Sequence, residues 1–557
     1  MIRVGARASD RIGSAVGASL LAIRRENRLQ AGSYMAITCA VLLALAPGCA
    51  KKPAADARPD VLIFARASDA QRLDPADVDD GESVNTLSQI LEGLVRFRDG
   101  TLEIEPCLAV RLPDISADGL TYTFTLREGV RFHDGTPLTA EAAAWSFLRQ
   151  MHADHPGRPP GAIFEYWSSL YQDIADVRAT GPLTLEIRLH QPNAALLASL
   201  AIFPAHLLSP DSPAGDALQR HPVGTGPYKF SSWSPNQAIV LEANADYWDH
   251  EHAPRFRRLV QKVVPENSVR LLELKAGNIH GLDGIQPAEL KALAGDPRFT
   301  VYRDAGLNVG YLVFNLQHAR YQDPEVRLAF ALAIDRRQLA TVALDDAGIP
   351  AEYPIPPGFL GYPKSVDPIP HDPARARKIL VRHAEAFARP VRLFVMNAAR
   401  PYMPDPPKAT SLIRSQLEAV GLRVEVVARD FKTHLDTLRH YEFDCAIIGW
   451  VGDNGDPDNF LSPFFGSWAT EKGSATNYSF YRSEEMDRLL LAARRESDRA
   501  ARGALYEQAL ALWRRDLPLV PLVHGENIAV WRSEVTGFQI QKDGNLRLGG
   551  LGWRAGE

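Results

Sequence analysis

The chain has 557 residues, of which 46% are hydrophobic, 23% charged and 8% aromatic, a balance that excludes a disordered or fibrous protein. At about 150 residues per domain the length allows about three to four domain-sized units. With 62 Lys plus Arg against 67 Asp plus Glu the net charge is -5, so no basic surplus points to nucleic acid. Four cysteines (Cys39, Cys49, Cys107 and Cys445) are too few for a disulfide framework and show no C-x-x-C or zinc spacing.

Residues 1–48 read as an export signal. Arg24, Arg25 and Arg28 precede the uncharged apolar run Met35 to Pro47, which ends in Gly48-Cys49, and residues 1 to about 23 read either as part of that signal or as a spurious leader from an upstream start codon. The run is shorter than the roughly 20 apolar residues that cross a bilayer, and no later segment qualifies. Residues 49–58 form a polar tether beginning at Cys49. This N-terminus resembles a bacterial lipoprotein signal, which implies a diacylated Cys49; an ordinary secretory signal with an incidental cysteine is the alternative.

From Arg58 onward strand and helix patterns alternate. Val61 to Phe64 and Thr121 to Leu126 read as strands, the second with period two. Leu138 to Met151 reads as a helix capped by Thr139, and Asp323-Pro324 and Asp372-Pro373 open helices running to about Leu339 and His383. Val391 to Met396, Ala409 to Val420 and Leu422 to Ala428 form a strand-helix-strand crossover. Cys445 to Trp450 is apolar throughout, as in a strand covered on both faces. Glu484 to Glu496 and Arg502 to Arg515 read as amphipathic helices, and Leu517 to Val523 as a short strand broken by prolines. The fold class is therefore α/β.

In such sheets ligands sit beyond the carboxyl ends of the strands. The strand ending at Met396 is followed by Asn397-Ala398-Ala399-Arg400-Pro401-Tyr402, and the one ending at Trp450 by Val451-Gly452-Asp453-Asn454-Gly455-Asp456-Pro457-Asp458-Asn459-Phe460. A guanidinium at one mouth and carboxylates at the next suit a zwitterion, since arginine grips a carboxylate bidentately and aspartate accepts from an ammonium group. Solvated surface arginine and turn-forming aspartates are the plainer reading of the same residues. A calcium loop from Asp453 fails because Gly455, Pro457 and Phe464 stand where oxygen ligands belong. No G-x-S-x-G, H-E-x-x-H or phosphate loop marks an enzyme; Val223-Gly224-Thr225-Gly226 lacks the lysine and hydroxyl of a nucleotide site. The pairs His152/His155 and His250/His252 have no third ligand, so neither metal nor cofactor is expected.

Leu138 to Glu141, Gly224 to Tyr228, Gly306 to Tyr311, Asp323 to Leu332 and Gly449 to Phe460, in that order, resemble the family 5 extracellular solute-binding proteins of ABC importers, with the last segment closest to the dipeptide-binding branch. The resemblance implies a two-lobed periplasmic-binding-protein-like fold (type II, cluster C) closing on its ligand. It implies lobe I over 59–305, an inserted lobe II over 306–520, and a return of lobe I over 521–557. It also implies that Arg400 holds the carboxylate and Asp453 the amine of a di- or short oligopeptide, with Tyr402, Trp450, Gly452 and Gly81 in the same pocket. The implied protein is a monomer, not an enzyme, exported to the periplasm or cell surface, held by lipidated Cys49 and delivering its ligand to permease and ATPase subunits. Same-fold receptors for nickel complexes, haem, opines or oligosaccharides are the alternative, followed by a cell-envelope peptide-processing enzyme and a chaperone or sensor. One loop departs from the family: Ala76 to Ser83 is markedly acidic, which either favours cationic peptides or caps a helix running from Ser83 to Leu94.

Overall fold

A computed structural model describes residues 60–554 apart from Asp79 and Ala214. The export signal, Cys49 and the tether lie outside the described residues. Among those described, no helix is long and apolar enough to cross a membrane.

The buried side chains fall into separate cores. One gathers residues between Leu307 and Val523; a second lies between Leu94 and Leu207; two more combine Leu62 to Phe299 segments with Ala529 to Leu551. One long strand, Leu519–Arg532, joins the first of these to the last two. Its first part pairs antiparallel with Asn308–Phe314, and its second part with Phe299–Ala305 and Gly281–Asp283. Asn308 locks the passage, donating from Nδ2 to Gly525 O at 3.0 Å and accepting from Gly525 N–H at 2.7 Å.

The expected crossover is present. Val391–Met396 pairs parallel with Val424–Arg429, and Pro406–Ala419 is the connecting helix, capped by Asp405 and started by proline. Cys445–Val451 lies between Val391–Met396 and Asn308–Phe314, buried on both faces over its first four residues. That places the loops after Met396 and Val451 side by side at one end of the sheet.

Three expectations are corrected. The helix from Asp323 does not run to Leu339: it is divided into Pro324–Ala333 and Arg336–Ala343, because the Asp335 side chain accepts from the Arg337 and Gln338 N–H groups and starts a new helix. The helix from the acidic loop is Gly81–Leu87 and stops well short of Leu94. Gln89 instead bonds the C-terminal segment, donating to Leu546 O at 2.6 Å and accepting from Leu548 N–H at 3.0 Å. The strand at Leu517 to Val523 is not broken by its prolines: Pro521 sits at a register shift opposite Gly310 and Tyr311, where its missing N–H leaves no gap in the ladder. Cys107 and Cys445 are both buried and free, so they form no disulfide.

Candidate functional site

Arg400 sits in a tight turn closed by paired backbone bonds with Met403, at 3.0 and 2.8 Å. Tyr402, in the middle of that turn, is only 3% exposed. It lies over Gly310 and Gly449, which face each other across the ladder. A Cβ on Gly449 would stand 2.4 Å from Tyr402 Cδ2, so glycine there makes room for the ring. Tyr402 therefore anchors the turn instead of lining a cavity. The Arg400 guanidinium lies over the Phe431 ring, 3.6 Å from its centroid, and its Nε is buried without a hydrogen-bond partner. Among the described residues no carboxylate pairs with it. A stacked, unpaired guanidinium is oriented for an incoming anion.

The acidic loop after Val451 divides its three aspartates between two duties. Asp456 is held bidentately by Arg502 at 2.5 and 2.8 Å, both side chains being 7% exposed, and Asp458 is bridged by Arg494 at 2.8 Å. Asp453 has no cation among the described residues. Its N–H donates to Asn459 Oδ1 at 3.1 Å, and its carboxylate accepts from Asn459 Nδ2 at 3.2 Å and from the Tyr166 hydroxyl at 3.4 Å. Burial pushes its carboxyl pKa above the ordinary value, opposed by those two side-chain bonds. An added ammonium group would favour the charged form.

Trp450 supports this arrangement from behind: its indole donates to Asn459 Oδ1 at 3.3 Å and its ring meets Phe464 edge-on. Gly452 is a glycine because a Cβ would stand 2.5 Å from the Phe460 ring. Gly81 opens the helix capped by Asp80, whose Oδ1 accepts from Ser83 N–H at 2.8 Å, and a Cβ there would meet only open space.

Two cavities result. The larger, of about 500 Å³, is lined by Arg400 with Glu82, Asp283 and Glu526. The smaller, of about 190 Å³, is lined by Asp453 and Gly452 with Gly81, Asp80, Tyr166 and Asp543. Both share Gly544 and Asn545 as a wall. Of the residues singled out in the sequence, Arg400, Asp453, Gly452 and Gly81 line these spaces, whereas Tyr402 and Trp450 brace the loops that do. Asn459 stood inside the quoted motif without being chosen; its spacing from Asp453 was the available signal. Tyr166 carried no signal, since a contact across 287 positions has no local pattern.

The acidic loop at residues 76–83 is mostly occupied locally. Asp77 pairs with Arg72 at 2.8 Å, and Asp80 caps the helix. Elsewhere Asp323, Glu325 and His383 come close enough to hold a metal ion, but Asp323 caps its helix and Glu325 is bridged by Arg382.

Residues 103–472 match the family described as bacterial extracellular solute-binding proteins, family 5. The chain belongs to that family. It is the solute-binding component of an ABC transporter, an extracellular or periplasmic protein and not an enzyme. It is 30% identical over 501 residues to a di/tripeptide-binding protein 1 of Pseudomonas aeruginosa, covering 87% of this chain and 92% of that protein. It is equally 30% identical over 496 residues to a heme-binding protein A of Haemophilus influenzae, covering 86% of this chain and 90% of that one. Among solved structures, the periplasmic binding protein DppA of Helicobacter pylori, in complex with the peptide STSA, superposes with a TM-score of 0.72 at 32% identity, over 88% of this chain and 98% of that chain. The two-lobed α/β fold is thereby that of the periplasmic peptide-binding proteins.

Proposed function

We propose that this solute-binding protein captures di- or short oligopeptides by both charged ends, the carboxylate on Arg400 and the amine on Asp453, and delivers them to a membrane permease. The observation that carries the reading is the pair itself: a guanidinium and a carboxylate, each without a counter-ion among the described residues, line neighbouring cavities with a common wall. Removing both ends of a peptide from water costs several kcal/mol per ion, so each needs a matched partner for net affinity. Lobe II over 306–520 closing on lobe I would supply that desolvation, and lipidated Cys49 would keep the receptor beside its permease and ATPase subunits.

Haem is the second reading, favoured by the equal identity to the heme-binding relative. Charge argues against it. A haem presents two carboxylates, whereas the cavities offer one arginine against Glu82, Asp283, Glu526, Asp80, Asp453 and Asp543. Calorimetric titration of the mature chain with dipeptides, tripeptides and hemin tests the assignment. Saturable binding of free peptides is the expected result; saturable hemin binding with no peptide response would transfer the site to haem.

A further inference from the structure

The hairpin formed by Val95–Phe97 and Ile104–Pro106 carries a tip, residues 98–103, that touches two separate parts of the molecule. One side of the tip is fastened to the C-terminal segment that walls both ligand cavities. Gly100 N–H donates to Gln541 Oε1 at 3.1 Å, Gln539 Nε2 donates to Asp99 O at 3.2 Å, and Arg547 Nη1 donates to Phe97 O at 2.7 Å and bridges Asp99 at 2.5 Å. Gly544 and Asn545, the wall shared by the two cavities, lie between these anchors in the chain.

The other side of the tip presents Leu102. It is half-buried against the core gathered between Leu307 and Val523, and among the described residues it is the one side chain from outside that stretch packed there. A Cβ on Gly455 would stand 2.6 Å from Leu102 Cδ2 and 3.1 Å from Leu102 Cβ. Gly455 belongs to the ligand loop, two residues after Asp453 and one before Asp456. Beside this contact the two parts are separated by a cavity of about 450 Å³, lined by Leu102, Leu112 and Leu197 on one side and by Leu360, Asp456 and Arg502 on the other. Polar contacts across the same seam, such as Asn454 Nδ2 to Ser199 Oγ at 3.1 Å, exchange for hydrogen bonds to water when the seam opens, so each contributes little net. Leu102 has no such exchange, because separating it from Gly455 exposes apolar surface to water.

We propose that Leu102 is a positioning residue of the ligand loop: by packing on Gly455 from a hairpin tied to the cavity wall, it holds Asp453 over the bound peptide and slows release. This rests on the peptide reading above. Ligand enters while the seam is open, so the contact forms after association and must break before release. Its loss therefore acts on the dissociation rate. The same contact requires glycine at position 455, since a methyl group there would push Leu102 off the loop.

The test compares the mature chain as wild type, Leu102→Ala, Leu102→Met, Gly455→Ala and the double variant Leu102→Ala with Gly455→Ala. Affinity for Met-Leu and for Ser-Thr-Ser-Ala is measured by calorimetry, and release by chasing the isotope-labelled peptide with unlabelled peptide. In Leu102→Ala the dissociation rate is expected to rise roughly tenfold with the association rate unchanged, and Leu102→Met is expected to restore it. Thermal unfolding of the ligand-free chain is expected to be the same in Leu102→Ala as in wild type. Gly455→Ala alone is expected to speed release comparably, and to add little in the double variant. An unchanged dissociation rate in Leu102→Ala, a slower association that accounts for the whole loss, or additive effects in the double variant overturns the positioning role while leaving the peptide reading intact. Failure of the wild type to bind either peptide overturns both.

Discussion

The hydroxyl of Tyr166 lies 3.4 Å from Asp453 Oδ1, so a side chain from the short Glu165–Leu170 helix closes over the carboxylate of a loop 287 positions further along. Phe203 holds the tyrosine ring edge-on at 5.1 Å. Two further bonds connect the same regions, Asn454 Nδ2 to Ser199 Oγ at 3.1 Å and Ala194 N–H to Arg494 O at 2.7 Å. Tyr166 thus covers the Asp453 carboxylate, which is the amine end of the cleft in the proposed clamp. Tyr166→Phe keeps the ring and removes only the hydroxyl, and it is expected to weaken dipeptide binding about three- to tenfold, the worth of one hydrogen bond. Calorimetry checks this, and unchanged affinity would remove Tyr166 from the account.

Asn459 links three groups, accepting from the Trp450 indole and from the Asp453 N–H while donating to the Asp453 carboxylate. Asn459→Ala leaves those donors without a partner and frees the carboxylate to turn away. A fall in dipeptide affinity of roughly tenfold or more is expected, with a loss of about 1 to 3 kcal/mol in urea unfolding. Loss of stability with full affinity would show that Asn459 only packs the loop.

Asp456 and Asp453 predict opposite phenotypes. Asp456→Ala strands Arg502 in a buried site and is expected to cost about 3 to 5 kcal/mol in urea unfolding. Asp453→Asn removes no ion pair of the protein itself and is expected to leave stability nearly unchanged while abolishing the preference for a free amine. Chemical denaturation of the two variants side by side decides whether the division of labour in this loop is as described.

The Glu82 and Asp283 pair predicts a pH dependence. The Glu82 pKa in the folded chain, about 7, exceeds its ordinary 4.5, and that of Asp283, about 6, exceeds 3.8. The folded state therefore holds more protons than the unfolded chain between those values, and the stabilisation present below about pH 4 is lost as pH rises through about 7. The facing charges are Asp80, Arg66 and Arg270, together with Arg400 and Glu526 across the cavity. Glu82→Gln removes the cost of ionising the acid, so its melting temperature is expected to exceed that of the wild type at about pH 8, with the gap closing by about pH 5. A difference independent of pH would contradict the origin assigned to it.

The sheet around the site was legible because each of its elements carries its own local signature. Val391 to Met396 is apolar except at the exposed Arg392, Cys445 to Trp450 is apolar throughout, and Asp-Pro pairs open the Pro324–Ala333 and Pro373–Arg382 helices as expected. The break at Asp335 was missed because a capping aspartate inside an apolar periodic stretch does not interrupt the period. At the site, strand-end position alone drew attention to Arg400 and Asp453, and the family resemblance assigned their roles. The contributions of Tyr166, Asp283 and Glu82 arise from pairing between distant segments, which no spacing in the chain encodes. The family resemblance implies Tyr402 in the pocket; what turns it inward is the facing pair Gly310 and Gly449, on paired strands with three others between them in sequence.

The central claim, that both charged ends of a peptide are held, is tested most directly by thermal unfolding of the mature chain with free, amino-acetylated and carboxyl-amidated dipeptides, in wild type, Arg400→Met and Asp453→Asn. A free dipeptide at about 100 times its dissociation constant should add about 2.7 kcal/mol of stability. Either cap, or either substitution, should cost about 2 to 5 kcal/mol of binding energy and abolish most of the shift at the same concentration. Capped and free peptides that stabilise the wild type equally would contradict the clamp.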